Sequence, residues 1–167
     1  MPEVALRSVT KRYPDGSVAV DGINLTIGDG ELVALIGPSG SGKTTILRLI
    51  AGLEHPTAGE ITFDGRSVVE VAPERRGVAL VAQPEGLYPH LDVRDNLAFP
   101  LRAAGRERAT ARSRVEREAG RMGLRRLLDL LPGGLSAGLR GLVATGRAFM
   151  RGAPVLLLDE PLAQADA

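Results

Sequence analysis

The sequence contains no cysteine and no tryptophan, and only 3% of its 167 residues are aromatic. The absence of cysteine fits a reducing cytosol. No apolar run approaches the ~18 residues that a membrane-spanning helix needs. The first four residues, Met-Pro-Glu-Val, lack the basic and apolar parts of a signal region, so we expect a protein that is not exported.

Positive charge comes almost entirely from arginine, with 19 arginines and only two lysines, Lys11 and Lys43. The formal net charge of +1 provides no global field for nucleic acid. Nine arginines and four acidic residues do fall within residues 102–129. Because the acids are interspersed and no aromatic residue lies there to stack on bases, a solvated helix face is favoured over a nucleic-acid surface. We therefore expect no nucleic-acid partner.

The most informative stretch is residues 37–45, Gly-Pro-Ser-Gly-Ser-Gly-Lys-Thr-Thr, which match the pattern G-x-x-x-x-G-K-[ST]. The apolar run at residues 31–36 predicts a buried strand before it. The apolar spacing of residues 46–51 predicts a helix after it, which stops at Gly52. In the order strand, glycine loop and helix, backbone N–H groups converge on one point. The sequence therefore predicts a nucleotide-phosphate site rather than a glycine-rich turn without a ligand.

Two side chains of this loop add chemistry to the backbone N–H groups. Lys43 supplies a full positive charge beside the partial positive charge of the helix N-terminus. Thr44 supplies a hydroxyl where Mg2+ bridges the outer phosphates of a nucleotide. The predicted nucleotide-binding residues of the loop are Gly37, Pro38, Ser39, Gly40, Ser41, Gly42, Lys43, Thr44 and Thr45.

Further strands are predicted on both sides of the loop. Residues 4–9 and 18–27 have the alternation and turn boundaries of strands, which indicates a small β layer. Residues 60–63 and 77–82 predict two more strands, and the second is apolar enough to be buried on both faces. That strand ends at Gln83.

Beyond residue 91 the pattern changes from strands to helices. Residues 92–131 contain no β-branched run, and their apolar positions fall at helical spacing, which predicts a separate helical subdomain. Ser136 is placed to cap a further helix, from about residue 139 to residue 150.

The next predicted strand, residues 154–158, is fully apolar and ends in Asp159 and Glu160. An acid at the carboxyl end of a buried strand in this fold class faces the ligand crevice. Asp159 is therefore predicted to hold Mg2+ through water, and Glu160 to orient an attacking water. Taken alone, Asp159-Glu160-Pro161 also fits a strand-ending turn, and the phosphate loop in the same chain favours the functional interpretation.

Taken in order, these features resemble the ATP-binding cassette (ABC) family, most nearly the ATPase subunits of carbohydrate-uptake importers. The resemblance covers essentially the whole chain and is strongest at residues 9–16, 87–101 and 156–162. It implies an α/β fold: a P-loop NTPase core with an N-terminal antiparallel β layer and an inserted helical subdomain, with the C-terminal strands missing. It implies one incomplete ABC ATP-binding domain over residues 1–167, divided into a RecA-like core plus β layer (1–91 and 132–167) and a helical subdomain (92–131).

The resemblance also implies roles for individual residues, with ATP and Mg2+ as the bound groups. Tyr13 matches the aromatic residue that stacks on adenine. Gln83 matches a catalytic glutamine that also contacts the Mg2+ site and links it to the membrane partner. Asp159 matches the Walker B aspartate, which with Thr44 and Gln83 completes the metal site, and Glu160 matches the catalytic glutamate.

The implied partners are a second cassette, in a head-to-tail dimer, and transmembrane permease subunits. Ser136 and Gly138 match the signature turn that contacts the γ-phosphate of ATP on the opposite cassette, and Asp166 matches the aspartate of the loop after Walker B. Residues 83–101 match the surface that receives a coupling helix from the permease. A solute-binding protein is an indirect partner, and the implied location is peripheral, on the cytoplasmic face of the cell membrane.

Two departures from the family pattern are visible. The signature, normally Leu-Ser-Gly-Gly-Gln, is Leu-Ser-Ala-Gly-Leu at residues 135–139, so Ala137 adds a Cβ and Leu139 removes an amide. The chain also stops eight residues after Asp159, before the strand with the family's switch histidine.

These departures leave two interpretations open, an importer ATPase subunit and a truncated or degenerate cassette that binds ATP but hydrolyses it poorly or not at all. A third, a non-transport ABC ATPase of DNA repair or chromosome structure, requires a long coiled coil. The sequence between Gln83 and Ser136 holds no sustained heptads.

Overall fold

The computed structural model describes residues 2–82 and 86–161 and divides the chain into two units, Met1–Val78 and Ala79–Ala167. The first unit contains an antiparallel sheet and the helix after the glycine loop, and the second contains three helices and a short parallel sheet. The strands are β1 (Val4–Arg12), β2 (Val18–Ile27), β3 (Ala58–Phe63), β4 (Arg66–Ser67), β5 (Val78–Val81) and β6 (Val155–Leu158). The helices are α1 (Lys43–Ala51), α2 (Val93–Ala103), α3 (Arg108–Arg121) and α4 (Ala137–Arg151).

The antiparallel sheet has the strand order β2-β1-β3-β4, with β1 between its two main partners. Leu6 of β1 lies opposite Leu25 of β2 and Ile61 of β3. Leu6 and Ile61 are 1% and 0% exposed, so this row of apolar side chains forms the centre of the sheet's buried face. The strands predicted at residues 4–9, 18–27 and 60–63 are confirmed.

The strand predicted at residues 31–36 is not formed, and this expectation was wrong. Residues 31–38 have no secondary structure and pair with no strand of the two sheets in the described part of the chain. Leu32 and Ile36 are 95% and 94% exposed. Apolar and β-branched composition gives only the propensity for a strand, because the structure also needs a neighbouring strand that supplies hydrogen bonds.

The helices of the second unit share one apolar core. Leu97 of α2, Val115 of α3 and Val143 of α4 are each 0% exposed in this cluster. α4 covers residues 137–151, so it starts two residues before the predicted helix and ends one after it. Gly146 permits close approach to α2, because a Cβ there would lie 2.9 Å from Leu97 Cδ2.

β5 and β6 form the short parallel sheet, and α2, α3 and α4 lie between them in the chain. The apolar runs predicted as strands at residues 77–82 and 154–158 are therefore confirmed, each within two residues of its predicted limits. Within residues 2–82 and 86–161, we find no helix with the length and apolar character that crossing a bilayer requires.

Candidate nucleotide site

The predicted phosphate loop leads directly into α1. Gly40 and Gly42 have φ angles of 80° and 88°, in the left-handed region that favours glycine. Ser41 N donates to Pro38 O over 3.3 Å and closes a turn within the loop. Gly42 is the N-cap of α1, and its carbonyl oxygen accepts a hydrogen bond from Ile46 N at 2.9 Å. The loop thus ends at a helix N-terminus, as the motif predicts.

The space around Gly42 excludes any side chain. A Cβ at this position would lie 2.3 Å from Ala19 O, a main-chain atom of β2 in the same unit. The first turn of α1 contains no acidic residue, so the partial positive charge of the helix N-terminus is not offset there. A tight glycine turn with an unopposed positive helix end fits a phosphate group.

Lys43, the first residue of α1, places its ammonium group against this turn. Its Nζ donates to Gly37 O over 2.9 Å and to Pro38 O over 2.8 Å. These two bonds hold a full positive charge on the loop itself. Thr44 and Thr45 follow in the same helical turn, and both are half-buried. Their roles toward phosphate and Mg2+ remain predictions.

Tyr13, the predicted adenine-stacking residue, lies directly after β1 in the turn to β2. The turn is closed by Tyr13 N, which donates to Ser17 O over 2.9 Å. Lys11 Nζ lies over the Tyr13 ring, 5.1 Å from its centroid. Lys11 also forms a 2.8 Å ion pair with Glu54 and donates to His55 O over 2.9 Å. The Lys11 ammonium therefore covers one face of the Tyr13 ring and, through Glu54 and His55, links the ring to the segment after α1.

Replacing Tyr13 with alanine should weaken ATP binding by ~1–3 kcal/mol, the scale of stacking between a base and an aromatic side chain. Tyr13→Phe is the matched control, because it keeps the ring and removes only the hydroxyl. Isothermal titration with Mg-ATP measures both affinities. Equal affinity of the alanine and native chains would contradict the stacking role.

Asp159 and Glu160 follow β6 in the second unit. Asp159 N donates to Val81 O over 2.9 Å, so the pairing of β5 with β6 continues to the predicted Mg2+ residue. Glu160 is exposed and has a φ angle of 48°, in the left-handed region that is uncommon for residues other than glycine. Such conformations concentrate at functional sites, where the surrounding structure holds them.

The predicted signature residues open α4. Ser136 is the N-cap, and its Oγ accepts a hydrogen bond from Leu139 N at 3.3 Å. The predicted capping role of Ser136 is confirmed. Ala137 is the first helical residue, and Gly138 lies half-buried in the first turn. The signature thus forms a capped helix N-terminus, although its third residue carries a side chain.

Two predicted site residues lie outside the described part of the chain. Gln83 belongs to the gap between residues 82 and 86, and Asp166 comes after residue 161. Their roles therefore stay predictions from the family resemblance.

Asn96 is a functional-site neighbour that no sequence pattern indicated, and its side chain is 0% exposed. Its Oδ1 accepts from Tyr88 N at 2.9 Å, and its Nδ2 donates to Tyr88 O at 3.1 Å and to Leu91 O at 2.9 Å. Asn96 therefore fixes the loop before α2 through its side chain. The sequence feature that could have identified Asn96 is a polar residue on the buried face of a helix, three positions after Val93.

Tyr88 faces a groove of about 600 Å³ within the second unit. Its ring centroid lies 4.5 Å from that of Phe99, and the Arg147 guanidinium carbon is 5.1 Å from the Tyr88 ring centroid. Burial lowers the pKa of Arg147, and the interaction with Tyr88 opposes this shift. The groove is lined by Ala79, Leu80, Val81, Tyr88, Phe99, Pro100, Ala103, Ala104, Ala144, Arg147, Ala148 and Arg151.

The glycine loop at the start of α1, together with the mixed α/β architecture, defines a nucleotide-binding protein of the P-loop class. A family profile described as ABC transporter matches residues 20–163. The chain therefore belongs to the ABC transporter family. Its fold is the ABC cassette fold, with an antiparallel N-terminal sheet, helices and a parallel sheet.

Curated relatives match the whole chain. Trehalose import ATP-binding protein SugC of Mycobacterium tuberculosis is 48% identical over 167 residues, which are 100% of this chain and 42% of SugC. sn-Glycerol-3-phosphate import ATP-binding protein UgpC of Chromohalobacter salexigens is 46% identical, with 45% of its length covered. The chain thus spans less than half the length of these relatives.

A solved structure has the same fold. It is the dimeric structure of a post-hydrolysis state of the ATP-binding cassette MJ0796 bound to ADP and Pi, with a TM-score of 0.86 and 32% sequence identity. The match covers 98% of this chain and 76% of that chain.

Proposed function

We propose that the chain is the ATP-binding subunit of a sugar-type ABC importer, in which ATP binding and hydrolysis drive solute transport. The observation that carries the proposal is the phosphate loop, in which Gly42 opens α1 and the Lys43 ammonium lies on the loop carbonyls. The names of SugC and UgpC, both import ATP-binding proteins, support the importer class. Family membership supports nucleotide binding, and the finer assignment to ATP with Mg2+ is part of the proposal.

The proposed binding roles follow the chemistry of each group. Backbone N–H groups of residues 37–45 and the Lys43 ammonium bind the phosphates. The residues that would hold Mg2+ are Thr44, Asp159 and Gln83, and the ion when bound would offset charge on the outer phosphate oxygens. Tyr13 stacks on adenine from the β1–β2 turn.

Hydrolysis is assigned to Glu160, which orients a water for in-line attack on the γ-phosphorus, with Gln83 as a second catalytic group. The exposure of Glu160 supports this role, because a residue that binds the attacking water has to be reachable by solvent. Lys43 stabilises negative charge that develops on the phosphoryl oxygens.

A second candidate function is ATP binding with little or no hydrolysis. Its supporting observation is the signature of residues 135–139, in which the Ala137 side chain follows the Ser136 N-cap directly. A Cβ at that position hinders close approach of a phosphate to the helix N-terminus.

We further propose that the chain is peripheral, on the cytoplasmic face of the membrane. Its proposed partners are a second cassette, contacted through Ser136, Gly138 and Asp166, permease subunits and, indirectly, a solute-binding protein. The groove beside Tyr88 and Phe99 supports permease docking, because Tyr88, Phe99 and Pro100 line it and belong to residues 83–101, which resemble the family's docking surface. We also propose that residues 92–131 form a helical subdomain and that the chain makes no nucleic-acid contact.

Thermal unfolding in the presence of Mg-ATP tests the proposed function. At a hundred times its dissociation constant, a ligand that binds only the folded chain should add ~2.7 kcal/mol to the free energy of unfolding. AMP is the matched control, because it keeps the adenine and lacks the β- and γ-phosphates that the loop binds. An equal midpoint shift with AMP, or none with Mg-ATP, would refute the proposed site.

A further inference from the structure

Arg76 is a buried cation in the first unit, with only 5% of its surface exposed. In the described part of the chain its guanidinium forms no ion pair, and all of its hydrogen bonds go to main-chain carbonyl oxygens. Burial lowers the pKa of Arg76, and the charge of Glu70 opposes this shift. Its acceptors are Val71 O at 2.8 Å, Leu49 O at 2.9 Å, Val69 O at 2.9 Å and Ile50 O at 3.2 Å.

Two of these acceptors belong to the last turn of α1. The final carbonyl groups of a helix lack partners within the helix and form its partially negative end. Arg76 Nη1 donates to Leu49 O and Ile50 O, so a full positive charge caps this end. The other two acceptors, Val69 O and Val71 O, lie in the segment after β4, so the guanidinium joins α1 to that segment.

Gly52 leaves the space that the guanidinium occupies. It is the C-cap of α1, with a φ angle of 81°. A Cβ on Gly52 would lie 2.5 Å from Arg76 Nε and 2.7 Å from its Cζ. Glycine is therefore needed at this position for the backbone conformation and also for the contact with Arg76.

The opposite end of α1 carries the predicted phosphate-binding residues. The helix has nine residues, from Lys43 to Ala51. At a rise of 1.5 Å per residue, its ends are about 13 Å apart. Rigid secondary elements carry coupling between separated sites. A shift of the Arg76 end therefore displaces the N–H groups and the Lys43 ammonium at the other end.

We propose that Arg76 is a positioning residue for nucleotide binding: by capping α1 and tying it to residues 69–71, it sets where Lys43 and Thr44 stand relative to the phosphates. This inference rests on the proposed nucleotide site. Arginine is required because a planar fork with several donors reaches both α1 and residues 69–71, whereas lysine offers only one compact donor group.

A role limited to stability predicts something different. In that case, any substitution with the same loss of stability should have the same effect on nucleotide affinity. The test therefore compares Arg76 variants with Leu6→Ala, which removes buried apolar contacts from β1 in the same unit and leaves the hydrogen bonds of α1 in place.

The experiment uses Arg76→Met, Arg76→Lys and Leu6→Ala, at a temperature where circular dichroism shows each chain to be folded. The dissociation constant of a fluorescent ATP analogue with Mg2+ should rise about tenfold for Arg76→Met, equivalent to 1.4 kcal/mol. Arg76→Lys should raise the dissociation constant by an intermediate amount, because lysine keeps the positive charge but lacks the planar guanidinium group. Leu6→Ala should change affinity by less than about twofold, although its unfolding midpoint falls.

A second readout needs no nucleotide. The amide resonances of residues 43–45 should move in Arg76→Lys and stay in place in Leu6→Ala. If Arg76→Met does not fold, the nucleotide affinity and the amide resonances of Arg76→Lys test the inference instead. A native chain that binds no analogue would refute the proposed function, and the resonances would still test the coupling along α1. Native-like affinity and unmoved resonances in Arg76→Lys would overturn the inference.

Discussion

Glu160→Gln is expected to lower ATP turnover by at least about a hundredfold, the usual contribution of a positioned acid–base group. Nucleotide affinity should remain, because the change leaves the phosphate loop and Tyr13 intact. Glutamine has nearly the same shape as glutamate but cannot accept a proton or hold water through a negative charge. The φ angle of 48° at residue 160 is equally difficult for both residue types, so backbone strain does not distinguish them.

Phosphate release under saturating Mg-ATP measures this effect, and equilibrium dialysis measures bound ATP. Glu107→Gln is the matched control, because Glu107 is an exposed carboxylate of the same unit whose side chain forms no cap hydrogen bond. Undiminished turnover in Glu160→Gln would show that another group activates the water. Equally low turnover in the native chain would favour the second candidate function, ATP binding without hydrolysis.

Lys43→Ala is expected to weaken Mg-ATP binding by about a hundredfold, or roughly 2.7 kcal/mol, within the range for losing hydrogen bonds to charged groups. The substitution removes a full charge from the loop. It also removes the two hydrogen bonds to Gly37 O and Pro38 O that brace the loop. Both losses act at the phosphates, so the thermal shift produced by Mg-ATP should largely disappear.

Arg66→Ala controls for net charge, because it removes one exposed positive charge from β4 in the same unit. Its Mg-ATP shift should match that of the native chain. If Lys43→Ala kept the native shift, nucleotide would have to bind elsewhere. If Arg66→Ala lost the Mg-ATP shift to the same extent, the effect of Lys43→Ala would come from the change in net charge.

The phosphate loop and its helix were predictable because their determinants are local. Gly42 is required by its own φ angle, and Gly52 ends α1 in the left-handed conformation that a helix stop predicts. The Ser136 cap is likewise a contact over three residues, between its Oγ and Leu139 N. Motifs that operate within one or two turns can be recognised without knowledge of distant contacts.

The strand predicted at residues 31–36, which the structure does not form, shows where reasoning from local sequence fails. Its composition favours a strand, but Leu32 and Ile36 are exposed and the segment joins neither sheet. Whether an apolar run becomes a strand depends on a pairing partner, and sequence spacing gives no information about that partner. The sequence likewise did not reveal Asn96, whose contacts with the Tyr88 main chain span eight residues.

The sequence by itself determined the phosphate loop, the glycine stop of α1, the Ser136 cap of α4 and the acidic end of β6, since each depends on residue types at fixed short spacing. The order of these motifs along the chain identified the family. The tertiary structure alone decided the positions of Lys11 over Tyr13 and of Arg76 at the end of α1. Arg76 reaches Leu49 O from 27 residues away, and Lys11 reaches His55 O from 44 residues away. Contacts at such separations are set by how the sheet and helix fold together, so no local pattern predicts them.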